Sequence, residues 1–121
     1  MNESVLKNRT KEFAKQVITF CRSLPNNREG RLIGDQLFRS GTSVAANYRA
    51  ACRGRSKAEF ISKLSIVVEE ADEARFWLEL IKEMNISKVP SVDQLISESD
   101  ELVSIFVSSI KTTKRNRRSP I

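Results

Sequence analysis

Apolar residues along this chain recur in steps of three and four, and each run that does so is closed by helix-stopping chemistry. The clearest run is Phe60, Leu64, Val67, Ala71, Ala74, Leu78 and Ile81. It alternates fours and threes, as the seam of a left-handed helical bundle does. Ser56-Lys57-Ala58-Glu59 stands in front of it. A Ser followed three residues later by Glu is a capping box, in which each side chain satisfies a backbone N–H that the helix start leaves open. Asn85 is placed to close this helix, and Pro90 follows.

Three more segments share the period. Leu6, Phe13, Val17, Phe20 and Leu24 line one face from Ser4 to Ser23, and Pro25 ends that helix because its ring removes a donor and clashes with the preceding turn. Ile33, Leu37, Ser40, Val44, Asn47 and Ala51 form the stripe of a long helix from Asn27 to Arg53, with Asn26 as its expected cap and Gly54 as its stop. Val92, Leu95, Ser99, Leu102 and Phe106 form the last stripe. It is expected to start at a second capping box, Ser91-Val92-Asp93-Gln94, and to end near Lys111. No period-two alternation interrupts the pattern, and short links make neighbouring helices antiparallel. The spacing predicts an all-α, antiparallel up-down-up-down four-helix bundle over residues 1–112, followed by a basic, disordered tail over 113–121.

Gly34 and Gly41 lie inside the second helix, where each costs about 1 kcal/mol relative to alanine. Close approach of a neighbouring helix would offset that cost. The spacing fits no phosphate-binding loop, and no Lys-Ser/Thr follows.

The 121 residues contain no histidine. The commonest general base and transition-metal ligand is therefore missing, which excludes Ser-His-Asp, Cys-His and imidazole-zinc chemistry. Cys21 and Cys52 each sit in a helical segment without a Cys-x-x-Cys partner, so both are expected as reduced, packed thiols. Glu69, Glu70, Asp72 and Glu73 crowd one stretch and could in principle hold Mg²⁺ or Ca²⁺, but ion pairing with the basic second helix is the better expectation. Glu69 and Glu73 are expected to pair with Arg39, Arg49, Arg53 or Lys57, or with a neighbouring subunit. Tyr48 is expected to give its hydroxyl to a carboxylate of the third helix. Neither cofactor nor small-molecule substrate is evident, and a non-enzyme is expected. No apolar run is long enough to span a membrane and the first ten residues lack a signal-peptide core, so a cytoplasmic address is the expectation.

The net charge of +6 is unevenly spread. Residues 1–60 carry 12 basic and 5 acidic side chains, residues 61–110 carry 4 and 10, and residues 111–121 carry 5 and none. The five are Lys111, Lys114, Arg115, Arg117 and Arg118. Such a segment suits an arm that follows phosphates without reading bases. Apolar residues also exceed what one seam needs. Trp77, Leu80, Met84, Val103 and Val107 mark an expected interface between copies of the chain.

The chain resembles the bacterial "four helix bundle protein" family, related to proteins encoded in intervening sequences of 23S rRNA genes. The resemblance is carried by Arg39-Ser40-Gly41-Thr42-Ser43-Val44-Ala45-Ala46-Asn47-Tyr48-Arg49. It continues through Arg53 to Phe60, Glu69 to Glu73 and Trp77-Leu78-Glu79-Leu80. It implies a homo-oligomer, a pentameric ring, without assigned enzymatic activity. A related bundle, the accessory protein of diversity-generating retroelements, is similar in architecture and works with a reverse transcriptase and nucleic acid. One departure is Ala50, where many members carry Glu, so any polar contact of that carboxylate is missing here. Two functions follow as expectations: an oligomeric adaptor for RNA or a nucleic-acid-handling protein, or a protein–protein scaffold without a nucleic-acid role.

Overall fold

The structure, a computed structural model, describes residues 2–116. Four helices follow one another: α1 (Glu3–Arg22), α2 (Arg28–Cys52), α3 (Lys57–Glu83) and α4 (Ser91–Arg115). No strand occurs among the described residues. Each helix packs on the next, and α4 returns to α1 along the least extensive of the four seams. Cross-helix contacts run in opposite residue order. Gly41 meets Val17 while Gly34 meets Leu24, and Arg75 reaches Asp100 while Lys82 reaches Asp93. Neighbours are therefore antiparallel, and the fold is the up-down-up-down bundle that the spacing predicts.

The seam of α3 forms the centre of the core. Leu64, Val67, Ala71, Ala74, Leu78 and Ile81 are completely buried, together with Val17, Leu37, Val44, Leu102 and Phe106. Burying a side chain of the size of Leu or Phe contributes roughly 1.5–3 kcal/mol. Thr10, Ser40 and Ser99 also fall on core faces. Each donates its hydroxyl to a carbonyl of the preceding turn: Thr10 to Leu6, Ser40 to Gln36 and Ser99 to Ile96. Buried hydroxyls are tolerated when a backbone acceptor takes the proton in this way.

The helix ends show which signals were local. Ser56 accepts from the Glu59 N–H at 3.1 Å, as the spacing requires. Asn85 takes the left-handed conformation (φ 54°), and the Ile86 N–H returns to the Ile81 carbonyl at 2.9 Å, a Schellman-type closure. Two expectations are corrected. The cap of α2 is Asn27, which accepts from Gly30 N–H, while Asn26 accepts from the Arg31 guanidinium. At α4 the second capping box does not form, because Pro90 already has helical angles (φ −58°, ψ −26°) and no side chain caps the end. The proline ring fixes φ near the helical value, so Ser91 becomes the first helical residue instead of the cap.

α4 also runs three residues past the expected end of the bundle at 112, to Arg115. Nothing in Thr112-Thr113-Lys114-Arg115 breaks a helix, and the Thr113 hydroxyl donates to Ser109 O. Lys57 at the start of α3 donates to the carbonyl of Asn116. Lys111, Lys114 and Arg115 are thus carried on a helix, while Arg117 and Arg118 lie outside the described residues.

Gly41 explains itself by its surroundings. A Cβ built there would lie 2.8 and 2.9 Å from the two methyl carbons of Val17 and 3.1 Å from its Cβ. Valine has one strongly preferred χ1 rotamer in a helix, so it cannot swing aside. At an exposed helical site Gly→Ala would stabilise by about 1 kcal/mol. Here overpacking costs about 1–3 kcal/mol, so Gly41→Ala is expected to destabilise. Urea titration checks the sign, and a higher midpoint for Gly41→Ala would show that α1 and α2 are not in close contact.

Candidate functional site

Helical register distributes the polar and apolar surplus over three surfaces. The first is the outer flank shared by α2 and α3. Arg39 lies between two carboxylates of α3: it reaches Glu70 at 3.2 Å and makes a close pair with Glu73. The Trp77 indole N–H donates to the same Glu73 carboxylate at 3.1 Å. Burial pushes the Glu73 carboxyl upward, but the Trp77 and Arg39 hydrogen bonds outweigh it and hold the group below its usual range. Phe76 packs edge-on against Trp77, with ring centroids 4.9 Å apart.

Leu32 and Arg39 are seven residues apart on α2, as are Leu80 and Glu73 on α3. Two turns bring a helix back to nearly the same face, so the Arg39–Glu73 pair carries Leu32 opposite Leu80. Leu32, Phe76 and Met84 are 56, 53 and 64% exposed. The flank is therefore apolar at one end and acidic in its middle.

The second surface is the cleft between α1 and α2. Its volume is about 530 Å³, and Lys7, Asn8, Lys11, Thr42, Ala45, Ala46 and Arg49 line it. Thr42 donates its hydroxyl to Phe38 O. The third surface is the end of the bundle where α2 and α4 finish and α3 begins. There Arg55, Lys57 and Thr113 line one hollow with Glu3 and Cys52. Arg53 caps α2 beside it, and Lys111, Lys114 and Arg115 occupy the last turns of α4.

The expected ion pairs are redistributed. Arg49 and Arg53 reach neither Glu69 nor Glu73; none of Arg49, Arg53 and Glu69 has an ion pair among the described residues. Of the expected donors it is Arg39, one face removed, that takes Glu73. Within the acidic cluster Glu70 and Glu73 turn to Arg39 while Asp72 turns to Arg75, and no group of three potential metal ligands converges among the described residues. Arg9 binds Glu98 through two guanidinium nitrogens, each at 2.7 Å, and also meets Glu101. That pair fastens α1 to α4.

Tyr48 points elsewhere than expected. It packs against Phe106 with ring centroids 5.2 Å apart, on the α4 side of the core, and makes no hydrogen bond to an α3 carboxylate among the described residues. Burial pushes the Cys52 thiol up, and pushes Cys21 up to about 11 with help from Asp35. Both cysteines are therefore thiols at neutral pH, despite the arginines near Cys52.

The five apolar residues expected at one interface fall on two sides of α3. Trp77, Leu80 and Met84 belong to the α2–α3 flank. Val103 and Val107 lie three and seven residues after Asp100, which Arg75 holds against the other side of α3. Phe76 and Leu32, absent from the expected set, are among the most exposed large apolar side chains. The signal for Phe76 was present in the apolar residues that ring α3 beyond its seam. Leu32 became legible only through the α2–α3 register.

The chain is thus an antiparallel four-helix bundle with an apolar, acidic flank on α2 and α3 and a cluster of basic residues at one end. A family model for the 23S rRNA-intervening sequence protein matches residues 2–108, and the chain belongs to that family. It is similar to a protein of unknown function from the S23 ribosomal protein family of Bacteroides thetaiotaomicron. The two are 33% identical, the match covers 92% of this chain and 99% of the other, and the TM-score is 0.83. No curated protein matches the chain. Among the described residues no helix is long and apolar enough to cross a membrane.

The depressed Glu73 carboxyl carries a pH signature. A group whose pKa is lower folded than unfolded stabilises above its unfolded value, near 4.3 for Glu, and that contribution is lost as pH falls through the folded value. Glu73→Gln is therefore expected to be less stable than the parent at pH 7, with the difference shrinking below about pH 4. Denaturation at pH 7, 5 and 3 measures it; a difference that grows on acidification would contradict the pairing.

Proposed function

We propose that this chain is a non-enzymatic, homo-oligomeric adaptor that binds RNA or a ribonucleoprotein through the basic end of its bundle. The observation that supports this most is the meeting of Arg53, Arg55 and Lys57 with Lys111, Lys114 and Arg115 at one end. Antiparallel topology brings the C-termini of α2 and α4 together there. Glu3 lies nearby but pairs with Lys7, and Glu59 lies in the first turn of α3. Clustered positive charge with few carboxylates attracts polyanions and speeds their association. Backbone contacts of this kind position a nucleic acid without reading its sequence.

Assembly is the second part of the proposal. The exposed Leu32, Phe76 and Met84, beside Trp77 and Leu80, form an apolar patch of the sort that subunit interfaces cover. The family resemblance favours a pentameric ring. A ring needs a head-to-tail contact between two different surfaces, so the apolar flank would meet a different face of its neighbour.

Two measurements follow. Light scattering after size exclusion should give a mass several times 13.8 kDa, falling toward the monomer in Phe76→Ser/Met84→Ser; a parent monomer at micromolar concentration would remove assembly. Binding of a labelled RNA should weaken with salt, with a log–log slope of about −3 to −4 for some four phosphates. Changing Lys111, Lys114 and Arg115 to alanine preserves helix-forming residues and should reduce the steepness of that slope by about 2 on single-stranded RNA. Parent protein that binds no RNA at low salt would end the RNA reading.

A further inference from the structure

We propose that the cleft between α1 and α2 is a track for the phosphodiester backbone of RNA, with Lys7, Lys11 and Arg49 as its phosphate-binding groups. This rests on the RNA reading above and adds a second, separately located contact. The cleft's two banks carry cations: Lys7 and Lys11, one turn apart on α1, and Arg49 opposite on α2. Its floor, Thr42, Ala45 and Ala46, is made of short side chains, so a backbone can approach α2 closely.

Among the described residues no carboxylate lines the cleft. Lys11 and Arg49 have no ion pair among the described residues, and Lys7 meets only Glu3, at 3.6 Å between two well-exposed side chains. Cations that face each other across a concave surface repel unless an anion lies between them, and a cleft of one sign concentrates the field that draws such an anion in. The arrangement contrasts with Arg39, Arg9 and Arg75, whose carboxylate partners come from the chain itself.

The shape of the site narrows the ligand. The cleft is open, as an extended polymer needs. Among the described residues no aromatic side chain lines it, and base stacking needs such a platform. Asn8 supplies an amide and Thr42 a hydroxyl at its edge, groups that contact phosphate and sugar. Binding through this cleft is therefore independent of base sequence. Arg49, at the end of α2, lies one turn before Arg53, so the track opens onto the basic end.

The experiment uses the full chain and a labelled single-stranded RNA of mixed sequence. Lys11→Ala/Arg49→Ala should lower the steepness of the salt dependence by about 1.4, about 0.7 for each phosphate of a single strand that is no longer neutralised. Ala46 is exposed, so Ala46→Glu can place a carboxylate on the cleft floor without disturbing the core, and it should weaken binding with the helical content unchanged. Both variants should keep the parent's oligomeric mass. Unchanged RNA affinity and salt slope in both variants, while the parent binds, would overturn the track and leave the basic end as the contact. A parent that binds no RNA would instead overturn the underlying reading. Loss of the oligomer in Ala46→Glu or Lys11→Ala/Arg49→Ala would also overturn the track, by showing that the cleft holds the acidic α3 flank of a second copy.

Discussion

The contact of Val17 with Gly41 sets the spacing on which the α1–α2 side of the molecule depends. Without a Cβ at position 41, α1 approaches α2 until valine methyl groups rest against the glycine, and Gly34 repeats the arrangement against Leu24. The same stretch of α2 turns Ser40 and Val44 into the core and Thr42, Ala45 and Ala46 outward. One run of small residues therefore builds both a tight seam and the shallow floor outside it. Its helix-propensity cost is offset by packing on one face, while the other face is left low enough for cations on both banks to overlook.

Charge is compensated on one side of the bundle and not on the other. Arg9, Arg39, Arg75 and Lys82 each tie one helix to another through a carboxylate. Most such pairs are exposed and individually weak; the half-buried, two-nitrogen Arg9–Glu98 pair is the best placed of them, and it holds the least extensive seam. Lys11, Arg49 and Arg53 have no such partner among the described residues. Arg49 and Arg53 suit the C-terminal end of α2, where cations interact well with the helix dipole, but that leaves their charge open to a polyanion.

How much of this was legible in the sequence depended on how local each signal was. The α3 seam, Ser56 as a cap and Asn85 as a closure depend on residues within a turn or two, and their spacing revealed them. The cap of α2 slipped by one residue because Asn26 and Asn27 are chemically alike, and only the position of the Gly30 N–H separates them. Pro90 reads as a breaker, yet its fixed φ also suits a helix start. Arg39 was legible as one of several donors to the acidic stretch, but neither its selection over Arg49 and Arg53 nor the Trp77 contact was, because charge patterning identifies which helices attract but not their rotation about their axes. That rotation, set by the buried stripes, turned Arg39 toward α3 and Arg49 toward α1. The basic helix and the basic terminus looked like separate features; antiparallel topology is what joins them.

RNA lying along the basic end and the α1–α2 cleft is the central claim. Photo-crosslinking of the full chain to a short uniform RNA, followed by mass spectrometry of the linked peptides, observes that placement directly. The expected links fall on peptides containing Lys7, Lys11 or Arg49 and on those spanning Arg53 to Lys57 and Lys111 to Arg115, all suppressed by high salt. Links concentrated on the Glu69–Glu83 stretch of α3, or indifferent to salt, would contradict it.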